Sequence, residues 1–237
     1  MNVSIDQLQA IIWDMDGVLV DTEELHYQTW LELYQRFGNG NQPPSRTKFK
    51  TLFGMRNSDV ISRLFDLSQA TPGFIAELRA TKEVLFRERL PGKVTPLPGV
   101  WRWLEYWSKA GVKQAVGSSA PFLNIDAILT ELKAHRFFEA IVSGEADSIT
   151  HSKPAPDIFL ETARQLGVAP ANCLVVEDAV VGVQAAKSAG MRCVAVTTTN
   201  SPSNLAAADL IVATLADLPP EQLPVWWKTA TNDKEIT

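Results

Sequence analysis

Cysteine is scarce in this sequence, and basic clusters are missing from it. The 237 residues include two cysteines, Cys173 and Cys193, and each lies inside an apolar stretch with the pattern of a β-strand. We therefore expect buried, reduced thiols rather than a disulfide framework or a cysteine metal cluster. The net charge is −5, and no basic run interleaved with aromatic residues occurs. Binding to nucleic acid, which needs such a basic surface, is therefore not expected.

Long apolar stretches are missing as well. No segment approaches the roughly 18 consecutive apolar residues that a membrane-spanning helix needs. The N-terminal stretch MNVSIDQLQA does not combine a basic region with an apolar run, as a secretory signal would. With 46% apolar and 21% charged residues, the sequence predicts a globular protein that spans no membrane and is located in the cytoplasm.

Short apolar stretches rich in β-branched residues alternate with amphipathic stretches from about residue 97 onward. The predicted strands are VKQAVG, AIVSG, CLVVED, RCVAVTTT and LIVATL, and AIIW at residues 10–13 belongs to the same series. Two of the intervening helical stretches, VWRWLEYWSKAG and PAPDIFLETARQLG, end at a glycine, as helices commonly do. This alternation predicts an α/β fold with a doubly wound parallel sheet.

The interval from residue 21 to 92 has a different pattern, because it lacks valine-rich runs and contains helical segments with N-terminal caps. The capping residues would be Asp21 or Thr22 for a helix that ends near Gly38, then Ser45, Ser58, and Thr71 with Pro72 at the first helical position. We predict that four helices form a small bundle inserted into the α/β core.

These patterns divide the chain into three parts. We predict an α/β core at residues 1–20 and 93–220, a helical insert at residues 21–92 and a C-terminal tail at residues 221–237. Prolines break the tail, and its end is polar. We expect its tryptophans, Trp226 and Trp227, to cover an edge of the core rather than to bind a partner.

Polar and charged residues follow several of the predicted strands at their carboxyl ends. Because open α/β sheets bind ligands beyond the carboxyl ends of their strands, we expect these residues to meet. They are Asp14 and Asp16 after the first strand, Ser118 after AVG, Lys153 in the loop after AIVSG, and Glu177 and Asp178 after CLVV.

The acidic members of this set predict a metal site. Four carboxylates at one sheet edge would raise one another's pKa values unless a cation lay among them. Oxygen ligands suit Mg²⁺, which commonly acts together with the phosphate oxygens of a substrate. The candidate Mg²⁺ ligands are Asp14, Asp16, Glu177 and Asp178.

A phosphate ester therefore becomes the expected substrate. Lys153 would supply a positive charge and Ser118 a hydroxyl donor to the phosphoryl group. Asp14 would attack phosphorus and form an aspartyl-phosphate, while Asp16 would protonate the leaving oxygen and later deprotonate water. Gly17 permits the sharp turn behind them. The alternative is a polar strand-to-loop turn without chemistry, which the presence of all the strand-end residues disfavours.

The motifs DMDGVLVDTE, VGSS, SKPAPDIF and VVEDAVVGVQAAKSAGM extend over about residues 10 to 215 and resemble those of the haloacid dehalogenase superfamily, in its β-phosphoglucomutase-like branch of sugar-phosphate phosphatases and mutases. The resemblance implies a Rossmann-like catalytic core with a helical cap. It also implies Mg²⁺ bound by the Asp14 side chain, the Asp16 carbonyl oxygen and Asp178, with Glu177 close by. The dehalogenases of the superfamily lack the second aspartate, so Asp16 argues against their chemistry. Phosphonate hydrolysis would need a Schiff-base lysine in the cap, and none is evident.

The insert offers candidate substrate contacts. His26 lies on the same stripe as Trp30, Leu33 and Phe37, and Lys82 lies on a stripe with Ile75, Leu78 and Leu85. Both positions resemble substrate-facing residues of the family, although a core histidine and an edge lysine are the alternatives. The further candidates are Gly54, Arg56 and Asn57 in FGMRNSD, and Ser119 in VGSS.

The sequence departs from the mutase pattern at two places. Mutases of the branch bind a second phosphate with an arginine where this chain has Asn57, and with a Ser-Lys-Asn run where it has Ala120, Pro121 and Phe122. We therefore favour a monomeric phosphatase that acts on a small phosphate ester such as a sugar phosphate. A sugar phosphate mutase is the alternative, and a catalytically silent protein that binds phosphorylated metabolites is the alternative from another class. A polyol phosphate or a nucleotide fits the substrate site almost as well.

Overall fold

A computed structural model of the chain describes residues 8–38, 42–52, 55, 57–68 and 70–223. In this part of the chain, six parallel strands form one sheet in the order β3-β2-β1-β4-β5-β6. The strands are β1 (Ala10–Trp13), β2 (Lys113–Ser118), β3 (Ala140–Ser143), β4 (Cys173–Glu177), β5 (Arg192–Val196) and β6 (Leu210–Val212). The predicted parallel sheet is therefore confirmed, strand by strand.

Helices cover both faces of the sheet. They are α5 (Val100–Lys109), α6 (Phe122–Leu132), α7 (Asp157–Leu166) and α8 (Val180–Ser188). Alternate residues of β1 point to opposite faces, so Ile11 and Trp13 pack with α5 and α6 while Ile12 packs with α7 and α8. Fully burying each such side chain stabilises the fold by about 1.5–3 kcal/mol. The sheet is thus doubly wound.

The strand order decides which loops meet. β1 lies between β2 and β4, and its register pairs Trp13 with both Val116 and Val176. The backbone N–H of Asp14 continues this ladder by donating to the Val176 carbonyl oxygen at 3.0 Å. Since the chain leaves β1, β2 and β4 at one edge, the residues after them are neighbours.

The helical insert contains α1 (Glu23–Phe37), α2 (Arg46–Lys50), α3 (Asn57–Leu64) and α4 (Pro72–Arg89). These helices bury an apolar cluster of their own, which includes Trp30, Leu33, Ile61 and Leu78. The predicted boundaries of the insert, at residues 21 and 92, stay a prediction.

Three of the helix N-terminal caps predicted from the sequence are present in the structure, and one is not. Ser45 Oγ accepts from the Lys48 N–H, Thr71 Oγ1 accepts from the Phe74 N–H, and Asp21 Oδ1 accepts from the Glu23 N–H, at 3.1–3.2 Å. The cap expected at Ser58 is wrong, because α3 begins one residue earlier, at Asn57. Asn57 is anchored there by a side-chain hydrogen bond to Glu83.

Other expectations concern the cysteines, membrane crossing and the tail. Cys173 and Cys193 are buried free thiols, as predicted, and burial raises the pKa of Cys173 to about 12. None of the helices in the described ranges is long and apolar enough for a bilayer crossing. The expectations for Gly54, Arg56, Trp226 and Trp227 lie outside the described residues.

Candidate active site

Asp14 and Lys153 form the centre of the site at the carboxyl edge of the sheet. Lys153 Nζ donates to Asp14 Oδ1 and to Glu177 Oε1, both at 2.7 Å. All three side chains are almost completely buried. Removing one partner of a buried ion pair costs about 3–5 kcal/mol, because it leaves an uncompensated charge. The lysine therefore holds the Asp14 carboxylate in place from the loop after β3.

Asp14, Glu177 and Asp178 form a buried acidic cluster. One ligand oxygen from each lies within 4.8 Å of the others. Burial raises the pKa of Asp14 to about 7, with Glu177 adding to the rise and Lys153 opposing it. Burial and the charges of Glu177 and Asp14 likewise raise the pKa of Asp178 well above its ordinary value.

This cluster fits Mg²⁺ by its donor set. The cluster has three carboxylates, and Lys153 pairs its single ammonium group with two of them, so the cluster carries excess negative charge when it is ionised. A divalent cation would offset the repulsion between the carboxylates, which adds to the effect of burial on the pKa values of Asp14 and Asp178. Carboxylate oxygens are the donors that Mg²⁺ prefers, and the residues present therefore fit the metal.

Two glycines allow the acidic side chains to reach this position. A Cβ on Gly17 would lie 2.0 Å from Asp178 Oδ2, and the φ of Gly17 is +82°. A Cβ on Gly182 in α8 would lie 1.7 Å from Glu177 Oε1. Real Cβ atoms do not approach an oxygen so closely. The carboxylates of Asp178 and Glu177 can therefore take these positions only because the residues facing them are glycines. The close approach of Asp178 and the positive φ thus explain why a glycine follows the two aspartates.

Asp16 is held on the insert side of the cluster. Thr22 Oγ1 donates to Asp16 Oδ1, and His26 Nε2 lies 3.7 Å from the same oxygen. Burial alone would raise the pKa of Asp16, but the interactions with His26 and Thr22 outweigh it and hold that pKa below its ordinary value. Thr22, expected only as a helix cap, therefore positions Asp16 instead.

The carboxyl end of β2 and the loop after it supply the hydroxyl groups of Ser118 and Ser119. Ser118 is buried, and its Oγ accepts from the Ala120 N–H at 3.2 Å. A hydroxyl that accepts in this way can still donate its own proton, for example to a phosphoryl oxygen. Ser119 lies next to it at the pocket wall.

The insert closes the pocket from the other side. His26 stacks on Phe86 with ring centroids 4.3 Å apart. Lys82 is 1% exposed, and its Nζ lies 3.0 Å from Glu83 Oε1 and 5.5 Å from the Trp30 ring. Lys82 is therefore a buried pocket residue, as the stripe predicted, and the edge-lysine alternative is wrong.

One pocket brings together every predicted site residue that the structure describes. They are Asp14, Asp16, His26, Asn57, Lys82, Ser118, Ser119, Lys153, Glu177 and Asp178. Gly54 and Arg56 belong to the stretch outside the described residues.

Two contributors were missed by the sequence reasoning. Thr199, which follows β5, donates to Asp178 Oδ2, and the strand-end rule used for the other residues would have found it. Glu83 pairs with Lys82 and accepts from Asn57, but it lies beside the apolar stripe and gave no comparable signal.

Comparison with known proteins places this arrangement in a family. Residues 11–196 match the model of a family described as haloacid dehalogenase-like hydrolase. The fructose-1-phosphate phosphatase YqaB of Escherichia coli is 32% identical, over 78% of this chain and 95% of that protein. The β-phosphoglucomutase of Bacillus subtilis is also 32% identical, over 93% of this chain and 96% of the relative. A relative from Arabidopsis thaliana, SUPPRESSOR OF QUENCHING 1, is 35% identical, but the matched part is 19% of its length.

A solved structure agrees with the fold. A variant of CbbY from Rhodobacter sphaeroides, in complex with xylulose-1,5-bisphosphate, superposes with a TM-score of 0.79 at 26% identity. The match covers 89% of this chain and 96% of that one.

Proposed function

The chain belongs to the haloacid dehalogenase-like hydrolase family, and we propose that it is a Mg²⁺-dependent phosphatase that hydrolyses a small phosphate monoester through an aspartyl-phosphate. A sugar phosphate is the proposed substrate. The observation that carries the proposal is the buried cluster of Asp14, Lys153, Glu177 and Asp178 at the edge of the sheet. A relative named as a sugar phosphate phosphatase supports the substrate class.

Asp14 is the proposed nucleophile. One of its oxygens forms a bond to phosphorus as the bond between phosphorus and the leaving oxygen breaks. Lys153 and Ser118 hold the phosphoryl oxygens, and Asp16 in its protonated form gives a proton to the leaving oxygen, which departs as an alcohol. In the second step Asp16 takes a proton from water, the water oxygen attacks phosphorus, and the bond to Asp14 breaks. Inorganic phosphate leaves, and Asp14 is restored.

Mg²⁺ would be held by the Asp14 side chain, the Asp16 carbonyl oxygen and Asp178, with Glu177 beside them. When bound, it would supply positive charge that offsets the repulsion between the carboxylates and a phosphate dianion. Lys153 alone offers one positive charge, which is insufficient for this set of anions.

The test is a phosphate-release assay. Purified protein should release nitrophenolate from p-nitrophenyl phosphate and phosphate from members of a sugar phosphate panel when Mg²⁺ is present, and EDTA should abolish both. Absence of turnover with every ester would overturn the proposal and favour a silent binding protein. Turnover that persists at full rate in EDTA would contradict the role of the metal.

A phosphate mutase is the second candidate, because a relative of nearly equal length is named β-phosphoglucomutase. Ala120 and Pro121 line the pocket where a mutase would need polar groups for a second phosphate. Assays with β-glucose 1-phosphate and a trace of glucose 1,6-bisphosphate separate the two reactions. A mutase accumulates glucose 6-phosphate, whereas a phosphatase releases inorganic phosphate.

The remaining proposals concern the setting of the enzyme. We propose a cytoplasmic monomer that acts on small soluble esters and binds neither nucleic acid nor membranes. Light scattering of the purified protein tests the monomer, and a dimer mass would contradict it.

A further inference from the structure

Glu83 lies at the centre of a partly buried polar network between the insert and the core. Its Oε1 accepts from the Asn57 side chain of α3 and lies 3.0 Å from Lys82 Nζ. Its Oε2 accepts from the Asn124 side chain of α6. Asn124 in turn accepts from Arg87 Nη1 at 2.9 Å. Glu83 therefore has partners on three helices and is fixed by all of them.

Glu83 sets the charge at the insert end of the pocket. The described residues that line the pocket include two lysines, and each lies within 3.0 Å of a carboxylate. Lys153 pairs with the carboxylates at the sheet edge, and Lys82 pairs with Glu83. Glu83 does not itself line the pocket, but Lys82 and Asn57 do. Its carboxylate thus neutralises the only ammonium group that the described part of the insert presents to the substrate.

Burial makes this neutralisation effective. The Lys82 side chain is 2% exposed and that of Glu83 is 12% exposed, so water and salt screen the pair weakly. The aromatic rings of Trp30 and Phe86, 5.5 Å and 5.2 Å from Lys82 Nζ, add no formal charge. A second phosphate on the substrate would therefore lie beside the Lys82–Glu83 pair, whose net charge is zero. Sugar hydroxyls, in contrast, would find hydrogen-bond donors in Lys82 and Asn57.

We infer that Glu83 is a specificity-determining residue that restricts the enzyme to monophosphates with a neutral, hydroxyl-bearing leaving group and disfavours substrates with a second phosphate. This inference rests on the proposed phosphatase function. Glu83 acts through Lys82 and Asn57 and does not touch the reacting atoms.

The experiment compares kcat/KM for matched esters that differ in a second phosphate. The pairs are fructose 1-phosphate with fructose 1,6-bisphosphate, glucose 1-phosphate with its 1,6-bisphosphate, and ribose 5-phosphate with its 1,5-bisphosphate. The variants are Glu83→Gln, the double variant Lys82→Met/Glu83→Gln, and the control Glu88→Gln, which changes an exposed glutamate of the same helix. The ratio of the two kcat/KM values does not depend on the fraction of enzyme that is folded.

Glu83→Gln should raise the bisphosphate-to-monophosphate ratio by about tenfold, because the buried Lys82 charge becomes available to a dianion at short range. Glu88→Gln should leave the ratio at the wild-type value. In the double variant the increase should disappear, since no ammonium charge remains; a purely structural role of Glu83 would change the ratio equally with or without Lys82.

The possible failures are distinguishable. An unchanged ratio in Glu83→Gln, or an equal increase of the ratio in the double variant, overturns the inference about Glu83. The proposed phosphatase function still stands in that case if the wild type hydrolyses p-nitrophenyl phosphate. Wild-type preference for the bisphosphate in every pair, or no turnover of any monophosphate, also overturns it. Absence of turnover of every ester, p-nitrophenyl phosphate included, contradicts the proposed function itself.

Discussion

The two ends of the pocket differ in charge and in construction. At the sheet end, Lys153 pairs with two of three clustered carboxylates, and each of these side chains ends a strand, follows one or lies in a loop beyond one. At the insert end, Lys82 and Glu83 balance each other among aromatic rings on packed helices. Backbone ladders fix the first end, and side-chain packing fixes the second. The first is therefore suited to stabilising charge on a phosphoryl group, and the second to selecting what is attached to it.

This contrast predicts different kinetic effects at the two ends. Residues that act on the phosphoryl group stabilise the transition state, so their loss should lower kcat. Residues that contact the leaving group bind it in the ground state as well, so their loss should mainly raise KM.

The largest effect is expected at Asp14. Asp14→Asn removes the carboxylate of the proposed nucleophile at almost constant volume and should lower kcat by at least about 10³-fold in the phosphate-release assay with Mg²⁺. Asp147→Asn is the control, because Asp147 is exposed in the loop after β3. If Asp14→Asn hydrolyses the ester at the wild-type rate, Asp14 is not the nucleophile. The proposed difference between a catalytic sheet end and a selective insert end is then wrong.

Metal removal should have the next largest effect, and only the sheet end should respond to it. EDTA should lower turnover by at least about 10²-fold, and added Mg²⁺ should raise the Tm of the wild type by mass action. Asp178→Asn should raise the Mg²⁺ concentration at the midpoint of this Tm shift by at least about tenfold. An undiminished Tm response in Asp178→Asn would mean that Mg²⁺ binds elsewhere.

The sequence was sufficient to predict which side chains lie at the sheet end of the pocket, because the order of the parallel strands brings their carboxyl ends together. Once AIIW, KQAVGS and CLVVE are adjacent parallel strands, Asp14, Ser118 and Glu177 must lie at one edge. The acid cluster then follows from residue types alone. Thr199 could have been included by the same reasoning, since it follows β5.

The insert end was only partly predictable, because its contacts depend on how helices pack. The apolar stripe correctly indicated that Lys82 is buried. It could not identify Glu83 as its partner, because adjacent helical residues point about 100° apart. Nor could it show that Asn57 and Asn124, 26 and 41 residues from Glu83, meet that carboxylate.

A smaller effect at the sheet end comes from Gly182. Gly182→Ala places a methyl group against Glu177 Oε1, so the carboxylate must move and loosen Lys153. We expect kcat to fall by about 10- to 100-fold with little change in KM. The control is Gly73→Ala in α4, whose added Cβ has its nearest neighbour, Thr71 Oγ1, at 3.8 Å. Equal kinetics for the two variants would show that the position of Glu177 does not limit turnover.

The smallest effect is expected at the insert end. Lys82→Met keeps an unbranched side chain between Trp30 and Phe86 but removes the ammonium donor, so KM should rise by about tenfold while kcat stays within about threefold. Circular dichroism checks the fold, since Glu83 then loses one of its partners. A fall in kcat comparable to that of Gly182→Ala would mean that Lys82 takes part in the transition state. A residue that only selects the leaving group binds it equally in the bound substrate and in the transition state, so its loss does not lower kcat. A fall in kcat would therefore mean that the insert end takes part in the chemistry of the sheet end.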